Sequence, residues 1–280
     1  MNYRLEVFKK ASLCRNFEYF TSKFIKSGDI YIPTYVSTGQ EFIAASLSTL
    51  CSTKKIKPLL FGQHRCHSIY LAFNGKIESL VDELLGRASG INQGFSGSAS
   101  IGNKSINMYG HDGLMGSNGP IGVGACYASK KPTIIFLGDA AVEEDYVLGA
   151  MGWASKKNLP IIFIIEDNNF SISTEKSVRR NWEIKDVAKS FKIKSYNIND
   201  CPKEIKSKSK FFFKKPLLLN IFTNRINEHR GGDKLNSNTK DRYIFEKKKI
   251  GNAAEKIDYL FRTKIEKIWL KRLGKQSKAQ

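Results

Sequence analysis

Apolar residues recur at helical spacing through Leu5, Phe8, Ala11, Phe17, Phe20 and Phe24, which predicts an opening amphipathic helix over 3–27. Ser27-Gly28-Asp29 ends it, and a second helix is expected over 40–51. From Pro132 onward the pattern changes to short apolar runs alternating with amphipathic stretches. Strands are predicted over 133–137, 161–165, 195–198 and 216–222, separated by helices over 142–156, 184–191 and 202–209. Runs of Ile and Leu with no polar alternation are the mark of strands buried on both faces. The expected fold class is therefore α/β, a doubly wound, mainly parallel sheet flanked by helices, with ligands at the carboxyl ends of the strands. A final helix is expected to carry Ile250, Ala254, Ile257, Leu260, Phe261, Ile265, Ile268, Trp269 and Leu273. The organisation expected is a single domain over 1–280, with its core at about 35–235, one terminal helix on each side, and 275–280 as a loose tail.

Eleven of the chain's 22 glycines fall between Gly86 and Gly124. Met108, Tyr109, Leu114, Met115 and Ile121 are interspersed there and want burial, so a flexible linker is disfavoured and ligand-approaching loops are expected.

Composition narrows the function classes. No apolar run approaches the length of a membrane span, and Met1–Glu6 shows no apolar signal core, so a cytoplasmic protein without a membrane partner is expected. The five cysteines, at 14, 51, 66, 126 and 201, lack CxxC or metal-ligand spacing and read as reduced structural thiols. The net charge of +20 raises the question of a nucleic-acid partner. The excess sits on the flanks, and 203–215 has six lysines against one glutamate. It lacks interleaved aromatics on which bases could stack, so solvated lysine is preferred, no nucleic acid is expected, and a patch for an acidic protein partner is the remaining alternative.

The chemistry begins where the 133–137 strand ends, at Gly138-Asp139-Ala140-Ala141-Val142-Glu143-Glu144. A carboxylate just past a strand, followed by a helix N-terminus, can seat a divalent cation and a diphosphate. The next strand ends in Glu166-Asp167-Asn168-Asn169-Phe170-Ser171-Ile172-Ser173-Thr174, which offers an amide oxygen and a carbonyl. Either half alone is weak, since Asp after a strand is often a cap and Asn-Asn is often a turn. The pair is stronger, with 26 residues between Ala140 and Asp167.

These residues resemble the thiamine-diphosphate motif, and their setting resembles the alpha subunit of the 2-oxo acid dehydrogenases of pyruvate, branched-chain and acetoin type. Further matches are Gly39-Gln40-Glu41, His64-Arg65-Cys66-His67, Tyr109-Gly110-His111-Asp112-Gly113-Leu114-Met115-Gly116 and Arg225-Ile226-Asn227-Glu228-His229. The resemblance implies a thiamine-diphosphate-binding fold with thiamine diphosphate and Mg²⁺ as cofactors. It implies metal ligation by Asp139, Asn168 and the Phe170 carbonyl, with Asn169 as the fallback. It implies cofactor contacts from His64, Arg65, Gly113, Met115, Gly138, Asp139, Ala140, Ala141, Asn168 and His229, of which His229 is catalytic. All four histidines then fall in active-site loops, and His229 is expected to titrate near working pH.

The sequence departs from the motif at Ala140, where glycine is usual, and at Asp167, where asparagine is usual; Ala140 is compatible with the turn if its φ is negative. A loop histidine is replaced by Asn227 and Glu228, and Tyr35 stands near the place of another. The resemblance further implies a beta-type subunit that supplies a pyrimidine-side glutamate, in a heterotetramer of two chains each. The substrate would be a small 2-oxo acid, and a lipoyl acyltransferase would be a further partner. The expected function is oxidative decarboxylation as the alpha-type subunit. The alternatives are a thiamine-dependent carboligase or transketolase-like half-enzyme of a biosynthetic pathway, and a non-catalytic subunit.

Overall fold

The computed structural model describes residues 2–230 and 240–275. In chain order it contains helices α1 (Tyr3–Lys26) and α2 (Glu41–Thr53), strand β1 (Leu59–Phe61), helices α3 (His67–Ala72) and α4 (Ile77–Leu84), and strand β2 (Met108–Tyr109). Helix α5 (Asn118–Ser129), strand β3 (Thr133–Gly138), helix α6 (Asp145–Lys156) and strand β4 (Ile161–Asp167) follow. A two-stranded hairpin, β5 (Phe170–Ser171) and β6 (Thr174–Glu175), leads into helices α7 (Lys176–Arg179) and α8 (Ile184–Ser190). Strand β7 (Lys194–Asn199), helix α9 (Pro202–Lys208), strand β8 (Leu217–Phe222) and helices α10 (Arg242–Ile250) and α11 (Asn252–Leu273) complete it.

Six strands form one sheet in the order β2-β1-β3-β4-β8-β7, and every neighbouring pair is parallel. Successive strand residues feed opposite cores. Ile134, Phe136, Ile162, Ile164, Leu217 and Leu219 pack on one side with α1, α2, α3, α4, α9 and α11. Ile135, Leu137, Ile161, Phe163, Ile165 and Leu218 pack on the other with α5, α6 and α8. Burial of both faces is why these strands read as unbroken apolar runs, and the doubly wound expectation holds.

Several sequence expectations are refined. β1 and β2 are too short for periodicity to reveal, yet they set the sheet's edge. The glycine-rich stretch is not all loop, because α5 begins inside it. A Cβ on Gly122 would stand 2.7 Å from Ile135 and 3.0 Å from Phe61, so that glycine lets α5 settle onto β3 and β1. The helix expected from 142 begins at Asp145, after a 3-10 turn over Ala141–Glu143. The single helix expected at the end is two, broken at Gly251 with φ +73°. On α11 Ile265 and Trp269 are fully buried, with the indole 5.8 Å from Phe17 and 5.1 Å from Phe24. Those apolar positions therefore serve α1, while Tyr259 and Leu260 stay exposed. All five cysteines are free thiols. Lys275 pairs with Asp29 at 2.6 Å, and the tail beyond it, like Gly231, Gly232 and Asp233 just after the Arg225–His229 match, lies outside the described residues. No helix among the described residues is long and apolar enough to cross a membrane.

Candidate functional site

The chain runs from β1 outward to β2 on one side, then returns to β3 on the other, so a crevice opens between the carboxyl ends of β1 and β3. Loops from five strand ends close around a cavity of about 230 Å³ there. Gln63, His64 and Arg65 come from the end of β1; His111, Met115 and Gly116 follow β2. Gly138 to Ala141 continue β3, Asn168 and Phe170 continue β4, and Arg225 and His229 follow β8.

Register decides which acidic and amide groups meet. Gly138 pairs with Glu166 across the β3–β4 ladder, so Asp139 and Asn168 leave adjacent strands at nearly the same level. Asp139 is 1% exposed, and burial first, then the neighbouring Asp167, raises its carboxyl to about 6. Its carboxylate accepts from Arg179 at 2.5 Å and its carbonyl accepts from Arg180 at 2.6 Å. Arg179 also pairs with Glu143 at 2.8 Å. Asp167 is held back from the cavity by Lys176 at 2.9 Å and Asn220 at 3.1 Å. Asn168 Oδ1 accepts from the Phe170 amide at 3.1 Å, whereas Asn169 is exposed with φ +69° and does not line the cavity. Ala140 has φ −83°, an ordinary right-handed value, so the alanine costs the turn nothing.

Arg65 is 2% exposed and donates to the Val36 carbonyl and to the His229 carbonyl, each at 3.0 Å. A further guanidinium N–H faces His229 Nδ1 at 3.1 Å. A guanidinium only donates, so Nδ1 is the acceptor and His229 is neutral with its proton on Nε2. Burial, followed by Arg65, depresses His229 to about 4. The expectation of a histidine titrating near working pH is corrected on that ground. His64 is pushed further, to about 2, by burial and then Arg65. His111 Nδ1 accepts from the Gly113 amide at 2.9 Å, and burial lowers its pKa. The Nε2 atoms of His64 and His111 are buried without a partner among the described residues. Tyr35 stands edge-on to His64 and His229, with ring centroids 5.2 and 5.1 Å away. Gly113 supports His111 without lining the cavity.

The fourth histidine is a correction. His67 heads α3 fully buried, with Nδ1 at 3.1 Å from Glu18 and Nε2 at 2.9 Å from Ser98, so it braces the loop behind the cavity rather than lining it.

Three contributors were given no site role in the sequence reading, although two of them stand in its motifs. Arg225 is 6% exposed, lines the cavity and donates to the Ile172 carbonyl at 2.6 Å; its Nε has no partner among the described residues. It opens the Arg225–His229 motif, and that position was the available signal. The bond holds Ile172 at φ +53°, a left-handed conformation that costs a β-branched residue about 1–3 kcal/mol. Gln63 donates its amide to buried Glu166, whose carboxyl rises to about 7 through burial. Gly39 explains the Gly39-Gln40-Glu41 motif. A Cβ there would overlap the Asn224 carbonyl, and the glycine lets Ile226 N–H reach the Thr38 carbonyl at 3.2 Å. That contact anchors the loop carrying Arg225 and His229.

The family model of the dehydrogenase E1 component matches residues 9–252. The alpha subunit of the pyruvate dehydrogenase E1 component of Rickettsia bellii is 29% identical over 244 residues, which cover 82% of this chain and 73% of that one. The corresponding protein of Rickettsia felis is 30% identical over 203 residues, covering 70% of this chain and 61% of that one. Among solved structures, transketolase from Campylobacter jejuni superposes with TM-score 0.60 at 17% identity, over 98% of this chain and 50% of that one. Transketolase from Leishmania mexicana gives 0.59 at 15%, over 96% and 46%. The transketolase likeness speaks for the fold alone, and there the chain spans about half the length of those proteins. On the match over 244 residues and the relatives' shared subunit type, the chain belongs to the dehydrogenase E1 component family, as an alpha-type member of the thiamine-diphosphate-dependent 2-oxo acid dehydrogenases.

Proposed function

We propose that the chain holds thiamine diphosphate through one Mg²⁺ and, with a beta-type subunit, takes part in oxidative decarboxylation of a small 2-oxo acid. The carrying observation is the ladder register that brings Asp139 and Asn168 to the same cavity wall as Arg65 and Arg225. The donor set fits the group. Hard oxygens from Asp139, Asn168 and the Phe170 carbonyl suit Mg²⁺. The two buried guanidinium groups suit the diphosphate, and the orphaned Nε2–H of His111 is a donor without a protein acceptor. Arg179 now neutralises Asp139, and a bound cation would take over that charge.

When bound, thiamine diphosphate supplies the reactive carbon on which a 2-oxo acid loses carbon dioxide. This chain's residues bind and orient. Arg65 aligns His229 through Nδ1, leaving the Nε2 proton free to donate toward substrate or diphosphate oxygen. Met115 and the Gly138–Ala141 backbone shape the wall against which the cofactor rests.

One feature supports a partner beside the cavity. Tyr109, Leu114 and Met115 are 49%, 60% and 42% exposed there, an apolar rim suited to a second subunit. The expected assembly is a heterotetramer with two chains of each kind. Calorimetric titration with thiamine diphosphate, with and without Mg²⁺, tests the site. Asp139→Ala should abolish Mg²⁺-dependent binding while the fold survives; unchanged affinity would refute the metal assignment. Robust turnover of 2-oxo acids by this chain alone would refute the need for a beta subunit.

A further inference from the structure

Each strand of the six-stranded sheet is entered from a segment that carries lysine. β1 follows Lys54, Lys55 and Lys57, and β2 follows Lys104. β3 follows Lys130 and Lys131, and β4 follows Lys156 and Lys157. β7 starts at Lys194 behind Lys192, and β8 follows Lys214 and Lys215. All twelve lysines are exposed, and none of these entry segments contains Asp or Glu. The lysine ion pairs among the described residues fall elsewhere, on Lys9, Lys176 and Lys247 for example.

Because every strand pair is parallel, these entries share one face. At the opposite end, the strand exits, the buried acids Asp139 and Asp167 are paired with Arg179 and Lys176, whereas the entry segments carry cations with no acid among them. The cationic face is about 24 Å wide, from six strands about 4.8 Å apart. Lysines on neighbouring entries then lie within a Debye length of about 8 Å at physiological salt, so their fields add. At the entries to β4, β7 and β8 the face is concave: Lys156, Lys192, Lys194, Lys214 and Lys215 line a groove floored by Phe211.

We propose that this face, centred on that groove, docks an acidic polypeptide segment of a partner protein. Complementarity of charge points to a polyanion, and three features select a protein one. None of the twelve cations is arginine, so the planar fork that grips phosphate is missing from the face. The ring within the groove is already engaged: Phe211 stacks on Tyr196 under the Lys194 ammonium at 4.0 Å and offers a base no free platform. A concave groove suits an extended chain better than a bilayer plane. The surface lies at the far end of the sheet from the cofactor cavity, so the proposal does not depend on the assignment of that cavity.

The test uses the full chain and fluorescent poly-L-glutamate. Binding should weaken steeply as salt rises. Reversal of the groove by Lys192→Glu, Lys194→Glu, Lys214→Glu and Lys215→Glu should weaken it by at least about tenfold. The matched control, with Lys248, Lys249, Lys256 and Lys264 each changed to glutamate on exposed positions of α10 and α11, should change it less than about threefold. If the groove reversal fails to fold, the same four positions changed to glutamine serve, with a smaller loss expected in the same order. Equal losses in groove and control variants would reduce the effect to net charge and overturn the proposal. So would tighter binding of poly-uridylate, or of phosphatidylserine vesicles, than of polyglutamate at equal charge concentration, since the face would then serve a nucleic acid or a membrane.

Discussion

Replacing His229 with glutamine should make the protein's stability less sensitive to acid, and the size of the effect follows from the Arg65–His229 contact. The folded ring is depressed from 6.5 to about 4, by burial and by the guanidinium 3.1 Å from Nδ1. A histidine with a depressed folded pKa binds its proton more readily in the unfolded chain. Its contribution to stability is therefore intact above 6.5 and is lost as pH falls toward 4. The full shift corresponds to a ceiling of about 3.4 kcal/mol at 1.36 kcal/mol per pKa unit. The ring is only half-buried, and solvent screening brings the expected loss between about pH 7 and about pH 4.5 down to about 1 kcal/mol. Guanidinium denaturation of parent and His229→Gln proteins at both pH values isolates this term, since Asp139 and Glu166 titrate in both. The gap between the two proteins should close or reverse by about 1 kcal/mol on acidification. A gap that stays constant would show that the ring is not held neutral by Arg65, and the donor role assigned to Nε2 would fall with it.

The Asn168→Ala protein should lose Mg²⁺-dependent thiamine diphosphate affinity far more than Asn169→Ala, measured by calorimetry; the opposite order would put the ligand register one residue out. Arg225→Ala should weaken thiamine diphosphate binding by about 1.5–3 kcal/mol, the range for a hydrogen bond to a charged group, and affinity at the parent's level would remove Arg225 from the site. Gly122→Val should destabilise by about 1–3 kcal/mol through overpacking against Ile135 and Phe61, read as a lower midpoint of thermal unfolding. His67→Ala should likewise lower that midpoint, leaving the affinity of the folded protein for cofactor largely unchanged, because Glu18 and Ser98 lose their buried partner while the cavity wall stays.

What could be read from the sequence was whatever a local pattern carries. Three of the six sheet strands, β3, β4 and β8, announce themselves as apolar runs because both of their faces are buried, while the half-exposed edge strand β7 is legible only as a short stretch between helices. The first helix shows its period because only one face of it is. The Asp139 and Asn168 segments stood out because each sits where an apolar run stops, and the spacing between those stops is a property of the chain. β1 and β2 stayed hidden, since strands of three and two residues have no period to show. Tertiary structure alone decided the pairings. The ladder between β3 and β4 buried Asp139 beside Asp167, and burial first, then that neighbour, raised its carboxyl, while the return of the chain after β8 brought His229 onto Arg65. It also sorted the histidines, sending His67 into the core and three others to the cavity, and divided the glycines between close helix packing at Gly122 and loop anchoring at Gly39. The physical reason is the same in each case. Burial, charge proximity and steric contact depend on which distant segments meet, and that is a property of the folded chain rather than of any window within it.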